Sequence, residues 1–251
     1  MTRSIDINSD LGEAYGPWQM GDDAAMLDIV TSANVACGGH ASDPDTMYRT
    51  LVMCREKGVT AGAHPGFPDR QGFGRRVIPM TASEVTNMVA AQIGALQGIA
   101  TLAGCPVTYV KPHGALNNFA SADRATADAI AVAVKTSGLA MLAISGTELE
   151  KASRDAGIET ISEIFADRGY QENGLLVPRG TPGAMIHDPK AAAARILHLL
   201  DTGNMQTITG TEIPLAAQSI CVHGDEASAV ALAAELRARL EAEGVTIAAF
   251  A

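Results

Sequence analysis

Ser32-Ala-Asn-Val-Ala-Cys-Gly-Gly-His40-Ala-Ser-Asp43 holds in one stretch the pattern on which the whole chain is built. A short apolar run, Val35-Ala36-Cys37, stops at two glycines and delivers a histidine, a serine and an aspartate. Glycine permits a sharp turn or a close backbone approach that a side chain would block. Ser42 or Asp43 is placed to cap a helix that Pro44 announces. Strand, glycine turn, polar side chain, helix: the same order recurs along the sequence.

Strand-like runs are expected at 5–8, 34–37, 59–63, 107–110, 140–144, 160–165 and 219–222. Helical patterns follow at 22–30, 44–57, 81–103, 122–136, 148–156, 189–200 and 227–243. Such alternation implies parallel pairing through helical crossovers. The strands end at polar residues almost every time, which favours a barrel, since barrel sites gather at that face. An open sheet would concentrate them near one switch point. The expected architecture is therefore α/β, a seven-stranded parallel β/α barrel, distorted TIM-like and imperfectly closed. No linker, fixed repeat or low-complexity tract interrupts it, so residues 1–251 are read as one barrel domain.

Composition narrows the partners. The net charge of −10 argues against nucleic acid and anionic membranes, although local Arg and Lys can still receive an acidic substrate. The four cysteines form no C-x-x-C pair, as expected of a reduced cytoplasmic chain. There is no signal-like start, and no apolar run approaches the ~20 residues needed to span a bilayer. Cys37 and Cys221 lie inside strand-like runs and are expected to pack as small hydrophobes.

Four of the six histidines, His40, His64, His113 and His223, fall just past strand-like runs beside Gly or Pro. On converging strands such a set points to chemistry, whereas His187 and His198 read as structural. Carboxylates follow the same rule: Asp6, Asp10, Glu13, Asp43, Asp167 and Asp225. Asp43 and Asp225 are weighed toward capping, and Asp10 and Glu13 toward acid–base work or a metal. Cations stand at Arg75-Arg76, Lys111, Arg168 and Arg179. Lys111 is the sharpest, because a lysine ending an inward-pointing strand is costly without an anionic partner or ligand. The chain has no G-x-x-x-x-G-K-[ST] phosphate loop, no G-x-G-x-x-G and no G-x-S-x-G elbow. Clustered His and Asp would tolerate a divalent metal, but no H-x-H or H-E-x-x-H spacing indicates one.

Six blocks, IDINSDLGEAYG, SANVACGGHASDPD, GAHPGFPDRQGFGRR, VKPHGALNN, EIFADRGYQENGLLVPRGTPGAMI and ICVHGD, resemble in order the signature blocks of the LamB/YcsF family. The resemblance runs from about Ile5 to Asp225. It implies a barrel of the glycoside hydrolase/deacetylase type. It also implies the cytoplasmic A component of an ATP-dependent 5-oxoprolinase, acting with subunits B and C to open 5-oxo-L-proline to L-glutamate. ATP with Mg2+ would be co-substrate of that complex. Asp10, Glu13, His40, His64 and His113 are then the catalytic candidates, and Asn8, Asn34, Lys111, Asp167, Arg168 and His223 the substrate-binding ones. Gly39 stands where the family more commonly has Phe, Ser42 where it has Gly, and Asn118 where its block reads Tyr-Asn. The rival readings are a metal-dependent deacetylase or amidohydrolase acting without ATP, and a non-catalytic protein that binds a ligand for its partners.

Overall fold

The computed structural model describes residues 4–222 and 227–250. In chain order the elements are β1 (Ser4–Leu11), α1 (Asp23–Met26), β2 (Ser32–Ala36), α2 (Pro44–Lys57), β3 (Thr60–His64) and α3 (Ala82–Ala103). Then come β4 (Val107–Val110), α4 (Gly114–Ala120), α5 (Arg124–Ser137), β5 (Ala140–Ile144), α6 (Glu148–Asp155) and β6 (Thr160–Phe165). The chain ends in α7 (Pro189–Thr202), the hairpin β7 (Asn204–Gln206) and β8 (Glu212–Pro214), β9 (Ser219–Val222), α8 (Ala227–Ala242) and β10 (Thr246–Ile247).

Strands pair in parallel in the order β1-β2-β3-β4-β5-β6-β9, and β9 returns to β1 with Asp6 opposite Ser219 and Ser9 opposite Val222. The seven-stranded barrel is therefore closed, which corrects the expectation of imperfect closure. Its distortion lies at the N-terminal end, where β10 pairs with Ser4 and Ile5 below the β9 contact. The expected helix at 22–30 shrinks to the single turn of α1. Three elements fall outside the expected pattern: α4, which starts directly at Gly114, the β7–β8 hairpin, and β10.

Side chains alternate across each strand, so one set points inward and the other outward. Outward residues such as Ile5, Ile7, Ala33, Val35, Ala61, Ala63, Met141, Ala143, Ile164 and Ile220 join one large core against the helices. Inward residues divide by height. Near the N-terminal end Tyr109, Leu142 and Ile161 pack with Phe250, whose ring meets Tyr109 edge-on at 5.1 Å. Tyr109 fits because position 62 is glycine; a Cβ there would lie 2.3 Å from the tyrosine ring. Toward the C-terminal mouth the interior turns polar and charged.

Capping follows the sequence. Asp43 accepts from Thr46 N at 2.9 Å, Pro44 opens α2 and Gly58 closes it in the left-handed conformation. Thr81 and Glu84 form a reciprocal capping box on α3. All four cysteines are free and buried.

Candidate active site

The barrel mouth gathers its functional side chains from the first four strands. β1 turns Asn8 and Asp10 inward and delivers Glu13 just past its end. The glycine turn after β2 delivers His40, His64 ends β3, and Lys111 and His113 follow β4. Glu13, His40, His64, Lys111 and His113 are all buried.

Two polar clusters result. In the lower one, Lys111 Nζ lies 2.7 Å from Glu163 Oε1, 3.2 Å from Asp10 Oδ1, 3.1 Å from Asn8 Oδ1 and 3.1 Å from Cys221 Sγ. Asn34 Nδ2 donates to Asn8 Oδ1 at 2.8 Å and Asp10 Oδ1 at 2.9 Å, while Tyr109 donates its hydroxyl to Asn34 Oδ1 at 2.7 Å. Asn8 Nδ2 completes the network by donating to Ser219 Oγ at 2.8 Å. Burial alone would lower the lysine pKa, but Asp10, Cys221 and Glu163 more than offset it and hold the ammonium well above its usual range. Burial pushes the Glu163 carboxyl up, with Lys111 opposing the shift.

The upper cluster joins Glu13, His40, His64 and His113, whose donor atoms all lie within 4.8 Å of one another. His64 Nδ1 is 2.7 Å from Lys111 O, and His113 Nε2 is 2.8 Å from Phe73 O. A carbonyl oxygen only accepts, so each of those ring nitrogens carries the proton. His64 Nε2 and His113 Nδ1 face each other at 3.0 Å. Asp10 Oδ2 lies 3.2 Å from His64 Nε2. Glu13 Oε1 lies 3.5 Å from His113 Nδ1 and 3.0 Å from His40 Nε2. The His40 and His113 rings stack at 3.6 Å and 2°, and His40 Nδ1 is buried without a hydrogen-bond partner.

Electrostatics separates the groups. Burial pushes the Asp10 carboxyl up, but His64 and Lys111 overcome it and hold Asp10 well below the usual carboxylate range. Burial, reinforced by His64, brings the His113 imidazole down to about 3, and burial with the neighbouring histidines holds His40 well below its usual value. Both rings are neutral at physiological pH.

Phe73 takes a left-handed φ of 53° to place its carbonyl on His113, and its ring meets His40 and His113 edge-on. Gly39 has no room for a side chain: a Cβ would lie 2.6 Å from Gly66 O and 2.5 Å from Gln92 Oε1. Gln92 uses that space to donate to Gly66 O at 2.7 Å and to accept from Gly66 N at 3.0 Å.

Above the clusters opens a cavity of about 560 Å³, lined by Asp10, Glu13, His64, Lys111 and His113. Phe73, Ile144, Phe165 and Leu176 give it apolar walls, and Arg75, Arg168 and Arg179 add positive charge. Arg168 donates to Val177 O at 2.7 Å and Ala184 O at 3.2 Å, which ties down the loop after β6. Arg76 pairs with Asp69, and Arg75 stacks over the Phe73 ring.

Of the residues singled out in the sequence, Asp10, Glu13, His64, Arg75, Lys111, His113, Arg168 and Arg179 line this cavity. His40 lies behind His113, Asn8 and Asn34 lie beneath inside the barrel, and Asp167 is buried beside Arg168, none of them in the lining. His223 and Asp225 lie outside the described residues. Sequence reasoning missed Glu163, Phe73, Tyr109 and Gln92. Glu163 had a usable signal, a charged residue at an inward position of the otherwise neutral strand Thr160–Phe165.

Fold and site together define a closed β/α barrel whose C-terminal mouth carries a buried histidine–carboxylate cluster beneath a small-molecule cavity. A family model, the LamB/YcsF family, matches residues 5–251, and the chain belongs to that family. It is 50% identical over 249 residues to a protein of Gluconobacter oxydans (strain 621H) named as the A component of 5-oxoprolinase, covering 98% of each chain. The crystal structure of a lactam utilization protein from Thermus thermophilus superposes with a TM-score of 0.93 at 40% identity, covering 98% of this chain and 100% of that one. The catalytic domain of a peptidoglycan N-acetylglucosamine deacetylase from Eubacterium rectale shares the fold alone, with a TM-score of 0.51 at 10% identity, covering 99% of this chain and 89% of that one.

Proposed function

We propose that this chain opens a cyclic amide, converting 5-oxo-L-proline to L-glutamate, as the A component of an ATP-dependent 5-oxoprolinase that also needs subunits B and C. The observation that carries the reading is the cavity of about 560 Å³ with ionisable groups of both signs on one lining. Lactam opening breaks the ring C–N bond, joins a water oxygen to the carbonyl carbon and returns a proton to nitrogen. It calls for a base, donors for the developing oxyanion and a cation for the substrate carboxylate. Glu13, His64 and His113 offer the lone pairs for the first task, with Asp10 beside His64.

Lys111 is neutralised by Asp10 and Glu163, so its part is to keep Asp10 ionised and aimed. The substrate carboxylate is assigned instead to the arginines on the cavity lining, where Arg168 retains guanidinium donors beyond those tied to the loop. An unstrained amide is a poor electrophile; ATP, with Mg2+, would transfer its terminal phosphoryl group to the amide oxygen and leave as ADP. Water would add to the carbon and expel the ring nitrogen, and a second water would release inorganic phosphate from the resulting acyl phosphate. The chain carries no phosphate-loop sequence, which leaves its partners as candidates for holding the nucleotide. No described helix is long and apolar enough to cross a membrane, in keeping with a cytoplasmic complex.

The test is reconstitution with candidate B and C subunits, following glutamate from 5-oxoproline with and without ATP. Glutamate is expected only when ATP and all three components are present. Formation without ATP would overturn this reading in favour of an amidohydrolase acting alone. Asp10→Asn and His113→Ala are each expected to lower turnover by about 10²-fold or more while the complex still assembles. Full turnover in both variants would move the chemistry to a partner.

A further inference from the structure

We infer that the upper cluster is a binding site for one divalent transition-metal ion, held by His40, His64, His113 and Glu13.

The argument begins with protons. Backbone carbonyls fix the tautomers of two rings, because His64 Nδ1 donates to Lys111 O and His113 Nε2 donates to Phe73 O. His113 Nδ1 therefore keeps a lone pair, and it faces His64 Nε2 at 3.0 Å, away from bulk water, with Asp10 Oδ2 3.2 Å from the same His64 nitrogen. A proton on His64 Nε2 bridges the two nitrogens in the metal-free chain, and a metal ion takes its place by binding both lone pairs. Glu13 Oε1 adds a third acceptor 3.5 Å from His113 Nδ1, and it also lies 3.0 Å from His40 Nε2. Lys111, the ammonium of the lower cluster, is already committed to Asp10, Glu163, Asn8 and Cys221.

The surroundings match those of a metal site in three further respects. A ligating histidine ordinarily donates its second ring N–H to a carbonyl or carboxylate, which orients the ring; two of the three rings here do so. The donor atoms stand within 4.8 Å of one another, as ligands converging on one small ion must. Phe73 holds a left-handed φ of 53° to aim its carbonyl at His113, the kind of backbone strain that collects at functional sites. Three imidazoles and one carboxylate suit zinc, cobalt or a neighbouring first-row ion, whereas magnesium and calcium take oxygen ligands. Such an ion would act as a Lewis acid toward a carbonyl oxygen in the cavity.

The site uses the lone pairs of Glu13, His64 and His113 that the lactam reading gives to the base, but its test needs no turnover. The full chain, freed of metal by chelator and dialysis, is titrated with cobalt(II) chloride and followed by visible absorption and by heat release. One ion per chain is expected, with the intense ligand-field bands of a four- or five-coordinate nitrogen–oxygen site. Displacement by zinc(II) and a rise in melting temperature on zinc addition are also expected. Glu13→Gln and His113→Gln should each weaken binding by about 10-fold or more, while His198→Ala, at an exposed His–Glu pair far along the chain, leaves it unchanged. No uptake by the wild-type chain would overturn the inference. So would uptake with the bands of the hexaaqua ion, or uptake that Glu13→Gln and His113→Gln leave intact. The wild-type titration decides even if a substituted chain fails to fold.

Discussion

The two polar clusters at the barrel mouth share Asp10, yet they balance charge in opposite ways. Around Lys111 one ammonium meets Asp10 and Glu163, and each amide between them has both a donor and an acceptor satisfied, although Glu163 Oε2 is buried without a hydrogen-bond partner. Around His113 three imidazoles and the Glu13 carboxylate converge on one space, and His40 Nδ1 has no hydrogen-bond partner. A charge-matched network rigidifies the barrel and fixes where Asp10 points. An open one keeps bonding capacity for something that arrives later. The contrast supports our proposal that reactivity lies in the upper cluster and support in the lower.

The largest effect expected from breaking this contrast is at Lys111. Lys111→Met leaves the buried Glu163 and the half-buried Asp10 without their cation, a loss of about 3–5 kcal/mol in unfolding free energy. Adding Glu163→Gln removes one of the stranded charges and should restore part of that loss. Urea unfolding of the two variants and of Glu163→Gln alone gives the coupling between the positions. If Lys111→Met unfolds like the parent, the lower cluster is not the matched network described above.

Much of this arrangement was legible in the sequence, for a physical reason. In a β/α barrel the residues just past each strand converge by topology, so His40, His64, His113 and Lys111 are read as neighbours from their places in the strand–turn–helix pattern. The need of Lys111 for an anion was legible too, since a buried ammonium cannot stand alone. Which anion was not: Glu163 lies on β6, two strands along from β4, and only the inward curl of the sheet turns the two side chains together. Division of the histidines between lining and backing was equally hidden, because it rests on the His40–His113 stack and on a carbonyl from the Phe73 loop. The β10 strand leaves no trace in the pattern because two paired residues carry no periodicity.

A smaller effect sharpens the account of the upper cluster. Gln92 pairs both its amide groups with the backbone of Gly66, beside the His40 ring, in space left open by the absent side chain of Gly39. Gln92→Ala should cost about 1–2 kcal/mol through two lost hydrogen bonds, measured by urea unfolding. Gln92→Glu keeps the acceptor for Gly66 N but sets a carboxylate oxygen against Gly66 O. It is therefore expected to be no more stable than Gln92→Ala. A glutamate as stable as the parent would show that the amide pair does not hold this turn.

The smallest expected effect has the opposite sign. Among the described residues other than glycine, positive φ occurs at Ser42 and Phe73, and both flank the histidine cluster rather than the lysine cluster. Phe73 has a visible return for its strain, since its carbonyl holds His113. Ser42, at φ 75°, has a hydroxyl whose contact is a long 3.5 Å approach to Asp43 O, while its backbone N–H donates to Ala14 O at 3.1 Å. That backbone bond survives substitution by glycine, the residue the family resemblance places there. Glycine adopts the left-handed conformation without the Cβ penalty of about 1–2 kcal/mol, and its greater freedom in the unfolded chain takes back part of the gain. Ser42→Gly is therefore expected to stabilise the chain by about 0.5–1 kcal/mol in urea unfolding, with cobalt(II) affinity unchanged. A stability gain with lost affinity would place Ser42 in the support of His40, and so move the boundary between the two clusters outward by one turn of chain.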